Sequence, residues 1–172
     1  MKHAVQRFKD WLHKEPANTK QYFSLIWSIV VFNLITSILV VIVADIFGVD
    51  SPRNGTGNLA IFTLSFPFIL LGAMFTEELL FRALPVAITS QLNWILQVLT
   101  GIISSIIFGY KHGGIFHIFV QGISGFSMYL LFMKTSNMGK KIIKGFGATF
   151  LEHIIFNGLL ILVLMIIGVK TI

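Results

Sequence analysis

The sequence contains no cysteine. That removes a disulfide framework, a thiolate metal site and a cysteine nucleophile together. Charge is scarce as well: Asp, Glu, Lys and Arg make up 12% of the residues, about half the share of a soluble globular chain. What fills the space is apolar. Hydrophobic residues account for 55% of the 172 positions, and the mean hydropathy is +0.85. A chain of this composition is a polytopic membrane protein, all-α, folding as one transmembrane helical bundle.

The net charge of +6 would suggest nucleic acid in a soluble chain, but the positions of the charges exclude that partner. Of 13 basic residues, five (Lys2, Arg7, Lys9, Lys14, Lys20) fall in the first 20 positions. Lys134, Lys140, Lys141 and Lys144 cluster in one connector. Basic clusters flanking apolar spans mark cytoplasmic loops that face anionic lipid. The expected partner is therefore the bilayer, with the amino terminus cytoplasmic and the chain integral to the membrane.

In residues 1–20, Ala4, Val5, Phe8, Trp11 and Leu12 recur at helical spacing among Lys and Arg, and Pro16 stops the pattern. This predicts a basic amphipathic interfacial helix rather than a cleavable signal. Residues 21–172 read as a single transmembrane domain of about five spans. The first runs from Phe23 to Val49, with Asn33 its strongly polar interior residue and Asp45 near its far end. A turn-rich loop follows over Asp50–Asn58. The second helix starts near Leu59, with Pro67, Gly72 and Pro85 as points of bending. Gln91-Leu92-Asn93 reads as a turn, and further spans are expected over Trp94–His112, Ile115–Met133 and Phe146–Val169.

Against this background one stretch is anomalous: Thr76-Glu77-Glu78-Leu79-Leu80-Phe81-Arg82. A charge at the centre of a bilayer helix costs about 2.5–3.5 kcal/mol on insertion scales, so three within so short a stretch are a candidate functional site. Glu78 and Arg82 are four apart and pair along one face, which leaves Glu77 available for chemistry. Hairpin arithmetic from a turn near Trp94 puts His112 at the depth of Glu77, about 25–27 Å from the turn at 1.5 Å per residue. His153 and Asn157 share one face of the last span. A carboxylate and an imidazole at one depth could deprotonate water, with Glu77 or the glutamate pair as base. His153 and Asn157 could then donate to the oxyanion that develops on a peptide carbonyl.

The three motifs, Glu77-Glu78-x-x-x-Arg82, Phe108-x-x-x-His112 and His153-x-x-x-Asn157, resemble those of the CPBP family. That family comprises the type II CAAX prenyl proteases and bacteriocin-processing or immunity-associated membrane proteins. The motifs stand in family order, each in an apolar helix, over a motif core of residues 59–165; Gly122 and Gly125 fit the resemblance too. It implies an intramembrane endopeptidase in which Glu77 and His112 activate water. His153 and Asn157 would serve the tetrahedral intermediate, and Glu78 and Arg82 would support them. Its substrates would be membrane-proximal peptides. With one span ahead of the core, the chain is shorter than the prenyl proteases, which favours a small member of the bacterial cytoplasmic membrane. No metal is favoured; zinc on a Glu/His/His set is chemically possible.

Three other readings compete. A non-catalytic immunity or regulatory protein could use the same cluster as structure. A rhomboid-type serine site at Gly122-Ile123-Ser124-Gly125 has the wrong motif order and leaves the glutamates unexplained. A transporter would call for an inverted repeat that five spans do not show.

Overall fold

A computed structural model describes residues 2–46 and 66–166. Among them the regular structure is all helical, with no strand, and forms an all-α polytopic bundle. The elements are α1 (Lys2–His13), α2 (Thr19–Ile46), α3 (Phe66–Glu78), a π-helical turn π1 (Leu79–Ala83), α4 (Leu84–Thr89) and α5 (Trp94–Lys111). There follow α6 (Ile115–His117), a second π-helical turn π2 (Ile118–Gly122), α7 (Ile123–Thr135) and α8 (Ile142–Ile166).

Four stretches are long and apolar enough to cross a bilayer: Thr19–Val40, Trp94–Lys111, Ile115–Thr135 and Ile142–Leu162. The expected second span is the run α3–π1–α4, set apart from the other four by Glu77, Glu78 and Arg82. Its expected start at Leu59, the loop Asp50–Asn58 and the far end of the last span lie outside the described residues. The last span begins at Ile142 rather than Phe146, because Lys144 is accommodated at the helix start and lies over the Tyr22 ring at 5.8 Å.

Local chemistry sets the helix ends. Asn18 Oδ1 accepts from the Gln21 amide (2.9 Å) while Gln21 Oε1 accepts from the Ala17 amide (2.9 Å), a reciprocal cap on the first turn of α2. Asn93 caps α5 by accepting from the Leu96 amide (3.0 Å), as the predicted turn requires. Gly113 and Gly114, at φ +147° and +95°, take backbone conformations that side chains disfavour and so reverse the chain after α5.

Irregularity in the second span centres on π1, just ahead of Pro85, while Gly72 sits inside regular α-helix. Pro85 has no N–H to give the Phe81 carbonyl four residues back. Ser104 of α5 donates to that carbonyl instead (2.8 Å), which pins α5 against π1.

The amphipathic α1 packs across one end of the bundle. Leu12 is fully buried with Val86, Tyr129, Phe132 and Met133. The Lys134 ammonium donates to the carbonyls of Trp11 and Lys14 and lies 4.3 Å from the centre of the Trp11 ring. Glu15 pairs with Lys141 at 2.8 Å. The two basic clusters of the sequence therefore share one end of the molecule.

Candidate active site

The three sequence motifs converge through close helix contact. A Cβ on Gly109 of α5 would stand 2.7 Å from the His117 carbonyl oxygen and from Ile118 Cα, and one on Gly122 would stand 3.1 Å from the Ser105 carbonyl oxygen. Small residues let backbones approach this way in membrane bundles, which accounts for the Gly-Ile-Ser-Gly run as a packing face. A Cβ on Gly125 would meet Phe108 Cδ1 at 2.9 Å, so α7 presses the Phe108 ring towards the glutamate motif.

Glu77 and Glu78 end α3, and Arg82 rises from π1. Glu78 is fully buried and Arg82 is 1% exposed; Nη1 of Arg82 lies 3.4 Å from Oε1 of Glu78. The guanidinium also donates to the Glu77 carbonyl (3.4 Å) and sits 4.2 Å from the centre of the Phe108 ring. His153 of α8 reaches the same carboxylate oxygen, with Nδ1 at 2.9 Å from Glu78 Oε1. One glutamate is thus held between an arginine and a histidine, away from solvent.

Glu77 has different surroundings. Its side chain keeps 25% exposure, and that of His112 keeps 29%. His112 Nε2 lies 3.3 Å from Glu77 Oε1, and His153 Nε2 lies 3.6 Å from Glu77 Oε2. The carboxylate therefore stands between two imidazoles from two different helices, at the accessible edge of the cluster. The equal depth expected of Glu77 and His112 is realised as a direct contact.

Ring orientation follows from the other nitrogens. His112 Nδ1 meets the Phe108 carbonyl at 2.7 Å. A carbonyl only accepts, so Nδ1 is the protonated donor. By the same argument His153 Nδ1 donates to the Glu78 carboxylate. In neutral rings both Nε2 atoms are then lone-pair acceptors, and both face Glu77. Asn157 lies one turn beyond His153 on α8, half-buried; among the described residues it makes no ion pair or hydrogen bond with the other five.

One polar residue of the bundle escaped the sequence reading. Glu152 is completely buried, with Oε1 accepting from Asn33 Nδ2 at 2.9 Å. Its signal in the sequence is a lone acid in the apolar run Ala148–Leu162, where a carboxyl at bilayer depth marks a candidate site. Among the described residues, no group of three His, Asp or Glu side chains is placed to hold a metal ion.

Three ionisable motifs from separate apolar segments, gathered around one partly accessible carboxylate, define the class: an integral membrane protein with a polar site inside its helix bundle. The model of a peptidase family, the type II CAAX prenyl endopeptidases described as Rce1-like, matches residues 59–159. This match covers more than half of the chain and all of its motifs, and the protein belongs to that family of membrane-embedded peptidases. Neither the curated proteins nor the solved structures yielded a match to the chain.

Proposed function

We propose that the protein is an intramembrane endopeptidase that cleaves membrane-proximal peptides with water activated by Glu77. The observation that carries this reading is the set of acceptors around that carboxylate. Two Nε2 atoms and the Glu77 oxygens face one another at 3.3 and 3.6 Å, with both Nδ1–H groups committed elsewhere. With both rings in the neutral Nδ1–H tautomer, the two Nε2 lone pairs and the carboxylate complement a water molecule, whose two O–H groups can serve the carboxylate and one imidazole at once.

In the reaction the water oxygen attacks the peptide carbonyl carbon while its proton passes to Glu77. The carbonyl electron pair moves onto oxygen, where the Asn157 amide serves as donor. Collapse of the intermediate breaks the C–N bond, and Glu77 returns the proton to the departing nitrogen. The products are a carboxyl group and an amine, and Glu77 is restored. Glu78, its charge balanced by Arg82, accepts from His153 Nδ1 and so fixes the His153 ring.

Glu77→Gln tests the reading, because it preserves shape and removes the base. Cleavage of peptides reconstituted with the protein in lipid nanodiscs should fall by about 10²–10⁴-fold while the thermal unfolding midpoint stays unchanged. Undiminished cleavage by this variant would reject Glu77 as the base. A wild type that cleaves no membrane peptide, with Glu77→Gln functional in cells, would establish a non-catalytic scaffold.

The shared basic end of the molecule supports a cytoplasmic placement for α1 and the Thr135–Ile142 connector. The absence of native cysteine makes this directly measurable. A single cysteine at Lys140 should react with an impermeant maleimide only after the cytoplasmic face is opened. Labelling in intact cells would invert the topology.

A further inference from the structure

The tie between Glu152 and Asn33 has no place in the chemistry above, yet it is a side-chain contact buried completely on both sides. Both residues have no exposure at all. Asn33 Nδ2 lies 2.9 Å from Glu152 Oε1, and Asn33 Oδ1 accepts from Ser127 Oγ at 2.6 Å. Three helices meet here: α2 supplies Asn33, α7 supplies Ser127 and α8 supplies Glu152. Glu152 Oε2 has no further partner, so the Asn33 amide is the one side-chain donor to this carboxyl among the described residues.

The position of Asn33 gives the contact its meaning. Ile26, Val30 and Asn33 share one face of α2, and the first two pack with Leu131 and Ala148 in an apolar cluster. Apolar contacts tolerate sliding, because dispersion and burial are non-directional. A buried carboxyl is not tolerant: left without its donor it carries the full desolvation penalty. The hydrogen bond therefore selects the depth and rotation at which α8 sits against α2. Side chains at consecutive helix positions diverge by about 100°, so fixing Glu152 towards α2 also fixes His153 towards Glu78 and Glu77. Yet α2 lies outside residues 59–159 that match the peptidase family.

We propose that Asn33 and Glu152 are positioning residues for His153, and that α2 thereby takes part in building the site. The pair holds α8 in the rotation that brings His153 Nδ1 to Glu78 and Nε2 to Glu77. This rests on the reading of His153 as one of the groups around the activated water.

The test exchanges the chemistry of the pair at constant shape. Asn33→Asp alone, studied at a pH alkaline enough that the two carboxyls share no proton, sets two carboxylates against each other in a dry site. Adding Glu152→Gln restores one amide and one carboxyl, with the donor now on α8 and residue 33 still able to accept from the Ser127 hydroxyl. Full-length protein carrying ¹⁵N-histidine in nanodiscs supplies a readout independent of activity, with His153 assigned from the signals lost in His153→Gln. Asn33→Asp should shift the His153 ring nitrogens and lower kcat by about 10–100-fold, as misplacement by an ångström does, with KM within about twofold. The double variant should return His153 to its wild-type signals and kcat to within about threefold of wild type.

A folded Asn33→Asp protein with wild-type His153 signals overturns the proposal. If Asn33→Asp does not fold, the double variant decides alone: recovery of fold and His153 signals upholds the tie, and failure of either overturns it. The ring signals read the tie even if no peptide is cleaved. Failure of the protease reading would therefore show as absent cleavage with the His153 pattern intact.

Discussion

Arg82 and Glu78, one helical turn apart and both shut off from solvent, meet at 3.4 Å, and the same Glu78 oxygen takes a hydrogen bond from His153 at 2.9 Å. A carboxylate at this depth persists because two cationic or donor groups from two segments converge on it. The arrangement separates the roles of two adjacent glutamates. Glu78 is enclosed and compensated, whereas Glu77 stays at the accessible edge beside His112.

That separation makes the Glu78–Arg82 pair a matter of stability. Arg82→Met leaves a buried carboxylate facing His153 alone and should cost about 3–5 kcal/mol, the range for breaking one side of a buried pair. Combining it with Glu78→Gln removes the orphaned charge, so the double variant should lose less than the sum of the singles. Unfolding of all four proteins in one detergent measures the coupling. Additive losses would mean that the two side chains do not act as a pair.

Packing around the site has its own sharp test. A methyl group on Gly109 would stand 2.7 Å from two backbone atoms of the neighbouring segment, the His117 oxygen and Ile118 Cα. Backbone cannot swing aside as a side chain can, so Gly109→Ala should cost at least about 1–3 kcal/mol. It should also disturb His112, three residues further along. Gly147→Ala on α8 meets nothing within 4 Å and should be neutral or stabilising by up to about 1 kcal/mol through helix propensity. The two unfolding midpoints, measured side by side, check the contrast.

The seat of α1 should depend on pH. The hydrogen bond from Lys141 holds the Glu15 carboxyl below its ordinary range, with the nearby Lys144 charge adding to the effect. A carboxyl lowered in the folded state contributes stability that is present at neutral pH and lost as pH falls through its folded value. The protection factors of the α1 amides, corrected for the intrinsic pH dependence of exchange, should therefore fall in the acid range, below about pH 4, before those of the rest of the bundle. Glu15→Gln should make α1 protection indifferent to that acidification. An α1 whose protection is the same at pH 7 and pH 3 in the wild type would show that the pair does not hold it.

Much of this protein is determined by its sequence alone. Long apolar runs can satisfy their backbone in a bilayer only as helices, so the all-α bundle follows from composition. Glycines and the Asn93 cap mark the breaks for local steric and hydrogen-bonding reasons. The pairing of Glu78 with Arg82, and the common depth of Glu77 and His112, follow from helix rise and spacing. Tertiary structure decided what spacing cannot reach. It set which face of α8 turns inward, and so gave His153 to both glutamates, while Asn157 makes no hydrogen bond with either among the described residues. It placed the irregular turn at Leu79–Ala83 and supplied Ser104 to the carbonyl that Pro85 leaves free. It also joined Asn33 to Glu152 across helices far apart in the chain. Periodicity describes a helix about its own axis, whereas partners across helices depend on how whole helices rotate against one another, which only the packed bundle fixes.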